Sequence, residues 1–233
     1  MTITLPPIPA RIDHLIIHAT ATPASMDIGA DWVDRVHRQK GWNGCGYNMI
    51  IRRDGTLEHE GTGARTRPFS AIASHVGGCG RGWNARSLGV AMAGGVKEDG
   101  KTPENNFTQE QFSTLLDVIM AVIAAGIKTS NIMGHRDLIK ITKAAPKACP
   151  CFSVIAWLEG EYSDRRGRLP FASSKRPARG EALGIPKTYT VEEGESLWQI
   201  SDAHGVRLQD LLSLNDLDEG HLIFPGQELR LRN

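Results

Sequence analysis

Residues 12–18 read IDHLIIH. The run is rich in Ile and Leu and alternates well enough to predict a strand, with His14, Ile16 and His18 on one face. Residues 28–40 predict an amphipathic helix: Asp27 is placed as its N-cap, Trp32, Val33 and Val36 form the apolar stripe, and Gly41 stops it. YNMIIRRDGTLEHE (47–60) predicts a hairpin turning at Asp54-Gly55. SLGVAMAGG (87–95) is a short strand that runs into glycines. Thr108, with Gln111 placed for a capping box, opens a long helix. In it Phe112, Leu115, Leu116, Ile119, Val122 and Ile123 recur at helical spacing before Gly126. Strands alternating with helices predict an α/β domain whose mixed central sheet is flanked by helices.

The chain of 233 residues has room for one medium domain and a small one. A net charge of +1 gives no electrostatic reason to expect a nucleic-acid partner. No apolar run reaches membrane-spanning length, so no membrane insertion is expected. MTITLPPIPARID has Pro where a signal peptide needs an apolar helix, which predicts synthesis in the cytoplasm. Four cysteines do not make a disulfide framework. Cys149 and Cys151 are too close for a routine bridge, and whether Cys45 and Cys79 pair is open.

The even charge hides a division. Residues 161–187 hold seven Lys/Arg against three Asp/Glu, and residues 188–233 hold three against nine. RRGRLPFASSKRPARGEALGIP is basic, rich in Pro, Gly and Ser, and aperiodic, as a linker is. After it TYTV is a strand, Ser196 with Gln199 opens a helix, RLQDLLSLN is a second helix, and ELRL closes as a strand. Leu197, Ile200, Leu208 and Leu212 are its candidate core. The expected organisation is a catalytic domain at 1–160, a linker at 161–186 and a small β-α-α-β domain at 187–233.

Three residues of the first domain could make a catalytic zinc site: His18 at the end of the first strand, His135 on a loop after the long helix, and Cys149 on a loop before the last short helix. Three protein ligands leave a fourth position for water, whose pKa zinc brings to about 7. Their wide separation matches no local zinc pattern, so spacing alone leaves the site open. His14, His59, His204 and His221 read as packing or surface histidines.

IIHATAT (16–22), GWNGCGYNMIIRRDGTLEHE (41–60), SHVGG (74–78), NARSLGVAMAGG (84–95), FTQEQ (107–111), GHRDL (134–138) and PKACPCF (146–152) stand in an order that resembles the type-2 N-acetylmuramoyl-L-alanine amidases. The likeness is to the bacteriophage lysozyme-amidases above all, within the peptidoglycan-recognition-protein superfamily. It covers roughly residues 10–158 and implies His18, His135 and Cys149 as ligands of one Zn²⁺. It also implies Tyr47 and Lys147 in catalysis. Water activated by the metal attacks the amide between muramic acid and L-alanine, Lys147 stabilises the oxyanion, and Tyr47 holds the water or the developing charge. His75 and Asn84 are implied in the substrate groove, and His37 in packing behind it. Between GHRDL and PKACP this chain carries a longer segment than the phage enzymes, so Lys140 and Lys143 rival Lys147, and Cys151 rivals Cys149. Glu58 and Glu60 receive no catalytic role.

TYTVEEGESLWQISDAHGVRLQDLLSLNDLDEGHLIFPGQELRL (188–231) resembles a LysM domain. That implies glycan binding between two loops, with Gly194, Ser196, Asn215, Ile223 and Pro225 as candidate contacts. Together the resemblances imply a monomeric phage or prophage endolysin whose partner is bacterial peptidoglycan. It would wait in the cytoplasm and reach the wall after release through membrane lesions. The alternatives are a cytosolic amidase that recycles muropeptides and a non-catalytic recognition protein. A wall anchor argues against the first, and Cys149 against the second.

Overall fold

HLIIHA and SLGVAM carry apolar or small residues at nearly every position, the pattern of strands covered on both faces. The computed structural model describes residues 3–158 and, of the C-terminal block, residues 186–192, 197, 200–201, 204, 206, 208–217, 223 and 226–232. The chain divides into two compact units, Met1–Val154 and Ile155–Asn233.

In the first unit the chain forms β1 (His14–Ala19), α1 (Ala30–Gln39), β2 (Met49–Ile51), β3 (Leu57–His59), α2 (Trp83–Arg86), β4 (Ser87–Met92), α3 (Gln109–Ala124), β5 (Ile132–Gly134) and α4 (His135–Thr142). The sheet order is β3-β2-β4-β1-β5. β4 runs parallel to β1 and β2, β5 runs parallel to β1, and β3 pairs antiparallel with β2, so the sheet is mixed as expected. Register sets His18 beside Ala91 and Ile16 beside Gly89, which puts His18, Ile16, Ala91 and Gly89 on one face. Ile16 packs there with Val76, Cys79, Met133, Leu138 and Ile139, while Ile50 packs with Ala30, Val33 and Cys45.

Two local readings are corrected. Asp27 does not cap α1: its carboxylate pairs with Arg52 at 2.7 Å. Gly29 holds the N-cap position, and the Glu58 carboxylate accepts from Ala30 N at 2.5 Å. Glu58 therefore caps α1 from the hairpin. His135 lies at the start of α4 rather than on a loop. β5 and α2, too short to show periodicity, went unread.

The Thr108 capping box forms as expected, with Thr108 Oγ1 accepting from Gln111 N and Gln111 Oε1 accepting from Thr108 N, both at 3.1 Å. Gln111, fully buried, also ties this helix to the sheet: Nε2 donates to the carbonyls of Ala93 at 2.9 Å and Ile51 at 3.1 Å.

In the second unit β6 (Thr188–Thr190) pairs antiparallel with β7 (Glu228–Arg230), the expected union of first and last strands. Leu197, Ile200 and Leu212 are buried with Val191, Leu211, Leu229 and Leu231. The Leu208 side chain and the linker lie outside the described residues. Among the described residues no helix is long and apolar enough to cross a membrane.

Gln111→Leu removes one half of the capping box, an acceptor for Arg53 and both ties to the sheet, so it should destabilise the protein by about 2–4 kcal/mol in urea unfolding. Thr108→Ala, which loses the other half of the box and the hydrogen bond to Arg53 O, should lose about 1 kcal/mol. Equal losses would show that the ties to Ile51 and Ala93 contribute nothing.

Candidate metal centre

The parallel strands end together, and their carboxyl ends build the site, the usual place for a crevice in such a sheet. His18 stands near the end of β1, and His135 follows β5 directly. The third residue, Cys149, is held over them by backbone contacts: Arg136 N donates to Cys149 O at 2.7 Å, and Ala19 N donates to its sulfur at 3.3 Å. Gly134 lets this loop approach, because a Cβ there would meet Pro150 Cδ at 2.8 Å. Among the described residues, His18, His135 and Cys149 form the group whose ligand atoms all lie within 4.8 Å of one another. Cys151 turns away, its thiol donating to Gly95 O at 3.0 Å.

A buried chain of hydrogen bonds sets the ring of His18. Ser87 Oγ donates to Trp83 O at 2.6 Å and lies 3.3 Å from His75 Nε2. His75 Nδ1 lies 2.9 Å from His18 Nε2, and His18 Nδ1 lies 3.6 Å from the Cys149 sulfur. One proton arrangement satisfies every member: His75 Nε2–H donates to Ser87, His18 Nε2–H donates to His75, and the Cys149 thiol donates to His18 Nδ1. A glycine makes room for the chain. A Cβ at Gly89 would stand 2.6 Å from the His75 ring. On the other side the Cys79 sulfur lies 3.7 Å from His135 Nε2.

Burial dominates the electrostatics. It holds His18 well below the usual histidine value, aided by His75, His135 and Lys147. It lowers His75 to about 3 and, with the charge of Lys147, His135 to about 4. It pushes the Cys149 thiol up to about 12. The imidazoles are therefore neutral, the form that ligates metal.

The donor set fits zinc. A tetrahedral zinc with Zn–N and Zn–S near 2.1 and 2.3 Å sets those two ligands about 3.6 Å apart. His18 Nδ1 and Cys149 Sγ have that separation.

The Tyr47 ring lies 5.2 Å from His18 and 5.7 Å from His37. Its loop is pinned from α1, where His37 Nδ1 accepts from Gly46 N at 3.0 Å and Asp34 Oδ1 accepts from Cys45 N at 2.9 Å. Burial, then the Cys149 and Cys45 thiols, raise the Tyr47 phenol above its ordinary value, so it is a proton donor at neutral pH. Lys147 is exposed, and its charge bears on His18, His135 and Cys149. Lys140 instead bears on Asp137, and Lys143 ends α4 with a φ of 55°.

Asn84 Oδ1 accepts from the backbone of His75 and Val76 at 3.0 and 3.1 Å, which fixes the segment that carries the His75 ring. His14 sits against Asp13 and Trp83, and His59 Nδ1 accepts from Gly61 N. Glu60 accepts from Phe69 N at 2.8 Å. Ser87, Gly89 and Cys79 were not singled out from sequence for this site. Cys79 was weighed only as a partner for Cys45, and both are buried and free. In the second unit Asn215 exchanges hydrogen bonds with the Arg230 backbone, and Ile223 packs on the core. Gly194, Ser196 and Pro225 lie outside the described residues.

Residues 9–152 match the family model described as N-acetylmuramoyl-L-alanine amidase, and residues 189–232 match the LysM domain model. An endolysin of Enterobacteria phage K11 is 39% identical over 155 residues, 65% of this chain and 91% of that one. An endolysin of Klebsiella phage KP32 is 36% identical over 146 residues, 63% of this chain and 85% of that one. Among solved structures, an endolysin N-acetylmuramoyl-L-alanine amidase of Clostridium intestinale has a TM-score of 0.48 and 24% identity, covering 66% of this chain and 84% of that one. The chain belongs to the N-acetylmuramoyl-L-alanine amidase family and carries a LysM domain at its C-terminal end.

Proposed function

We propose that this protein is a zinc-dependent peptidoglycan hydrolase that cuts the amide between N-acetylmuramic acid and L-alanine, and that it serves a phage or prophage as an endolysin released through membrane lesions. The observation that carries this reading is the convergence of His18, His135 and Cys149, within a chain of the amidase family. A zinc ion held by these three supplies Lewis acidity and a water acidic enough to ionise near neutral pH. The rest is the work of the chain. Tyr47, protonated and beside His18, donates a hydrogen bond to the oxygen that gains charge at the scissile carbonyl. The Lys147 ammonium stabilises the same charge. His75, behind His18, keeps the ligand ring in one tautomer and one orientation.

The domains proposed for this work are residues 1–160 for catalysis, 161–186 as a tether, and 187–233 as a wall anchor. Holding a weak glycan binder beside the enzyme raises the local concentration of substrate.

Purified protein should hold about one zinc per chain, and Cys149→Ser should lose both the metal and the clearing of bacterial walls. Mass spectrometry of digested sacculi should show new L-alanine amino termini. A wild-type protein that binds walls and releases none would sink the proposal.

The pH dependence of zinc affinity has a definite sign. From about pH 5 to 8 the histidines are neutral and the thiol is protonated, so uptake releases one proton and affinity rises about tenfold per pH unit. Near pH 4, where His135 takes up a proton, the profile should steepen. A chelator competition series measures this, and a flat profile would exclude thiolate ligation by Cys149.

Deleting residues 187–233 should lower activity on intact sacculi more than on soluble muropeptides. Equal loss on both would remove the anchoring role.

A further inference from the structure

His18 has His75 behind it, and His135 has a backing group of its own. The Cys79 sulfur lies 3.7 Å from His135 Nε2, within the longer reach of a hydrogen bond to sulfur. We propose that Cys79 is a positioning residue: its sulfur accepts the Nε2–H of His135 and so leaves Nδ1 as the nitrogen that meets a metal. The inference rests on the zinc reading above.

Burial is the first argument. His135 is 4% exposed and Cys79 3%. A neutral imidazole carries a single N–H, and a buried N–H needs an acceptor. Among the described residues, the Cys79 sulfur is the polar atom within hydrogen-bond reach of the His135 ring. Sulfur is a weak acceptor. Here it packs among Ile16, Val76, Leu138 and Ile139, an apolar setting in which water does not compete for the proton.

The second argument is the arrangement of the set. Cys79 stands outside the group formed by His18, His135 and Cys149, so it backs the site rather than completing it. The two nitrogens of an imidazole diverge across the ring, so a ring that gives Nε2 to Cys79 presents Nδ1 elsewhere. His18 is disposed in the same way: Nε2 meets His75 Nδ1 at 2.9 Å, and Nδ1 faces the Cys149 sulfur at 3.6 Å. A ligating histidine normally hands its other N–H to an acceptor, which sets its tautomer and orientation. That acceptor is usually an oxygen, and for His135 a thiol holds the place.

The chain is bent to put the thiol there. Gly78 and Gly80, on either side of Cys79, have φ of +90° and +89°, a conformation that glycine adopts without strain. Cys79 N donates to Val76 O at 3.2 Å, which closes a turn. Asn84 holds the same segment through the N–H groups of His75 and Val76. One short loop thus backs both histidines, His18 through His75 and His135 through Cys79.

Imidazole nitrogen NMR on the full-length protein, freed of metal and then loaded with zinc, reads the tautomer of His135. Wild type should carry Nε2–H in both states. Cys79→Val keeps an apolar side chain but removes the acceptor. It should lose the single tautomer in the metal-free protein and weaken zinc binding about ten- to a hundredfold in a chelator competition. Cys79→Ser, which restores an acceptor, should recover part of that loss. Nδ1–H on His135 in metal-free wild type overturns the proposal, whether or not the variants fold. A Cys79→Val protein that binds zinc as tightly as wild type also overturns it. Cobalt in place of zinc reports the thiolates bound: the thiolate-to-cobalt band should be equally strong in wild type and Cys79→Val. A weaker band in the variant overturns the positioning role and makes Cys79 a fourth ligand. Wild type that takes up no zinc would sink the zinc reading, while the metal-free tautomer still decides the role of Cys79.

Discussion

Two buried histidines constrain the rest of this site. His18 and His75 are shut away from water, and each ring nitrogen needs a partner there. An unpaired one would cost about 1–3 kcal/mol. The Nε2 of His18 finds its partner in His75 Nδ1, and His75 in turn leans on Ser87 at the start of β4. The sheet therefore sets the direction in which His18 presents Nδ1. Room for this pairing comes from Gly89, the β4 residue beside Ile16, because any side chain at that position would take the space of the His75 ring. The His18 ring is aimed here by strand register and by one missing methyl group.

The same logic governs the loops. Cys149 comes from a segment with no regular structure, yet both its sulfur and its carbonyl accept from backbone N–H groups, of Ala19 at the end of β1 and of Arg136 at the start of α4. The loop before Tyr47 is fixed by two side chains of α1, Asp34 and His37. α1 is itself started by Glu58, reaching over from the hairpin. Groups distant in sequence thus reach Tyr47 through buried polar contacts, which tolerate little displacement because each is expensive to break.

Much of the fold was legible because it rests on local chemistry. The Thr108 box, the Asp54-Gly55 turn and the apolar first strand are signals of a few residues each. Where sequence reasoning failed, a distant partner had taken over. Asp27 looks like an N-cap but pairs with Arg52, and the capping passes to Glu58. α4 starts on a glycine, with Asp137 accepting from Gly134 N, so it lacks the Ser or Thr that flags a helix start. The candidate metal ligands are the extreme case. His18 and His135 meet because β1 and β5 are parallel neighbours, a relation that no local spacing encodes. Only the ordered family motifs pointed to them. Ser87 falls inside those motifs and Cys79 directly after one, but their part depends on which ring crosses which strand.

The electrostatics give the arrangement a direction. Burial makes the imidazoles poor bases and the thiol a poor acid, so the three candidate ligands are uncharged as they stand. His18 meets His75 and Cys149, and Cys149 also meets the backbone of Ala19 and Arg136. A dication held by the three would take the place of one proton, the one between Cys149 and His18. The gain in net charge would be a single unit in a buried site, and Lys147 on the exposed segment carries charge of the same sign. The phenol of Tyr47 is kept protonated by the same burial, so a single physical cause, exclusion of water at the ends of β1 and β5, keeps the candidate ligands uncharged and the phenol protonated together.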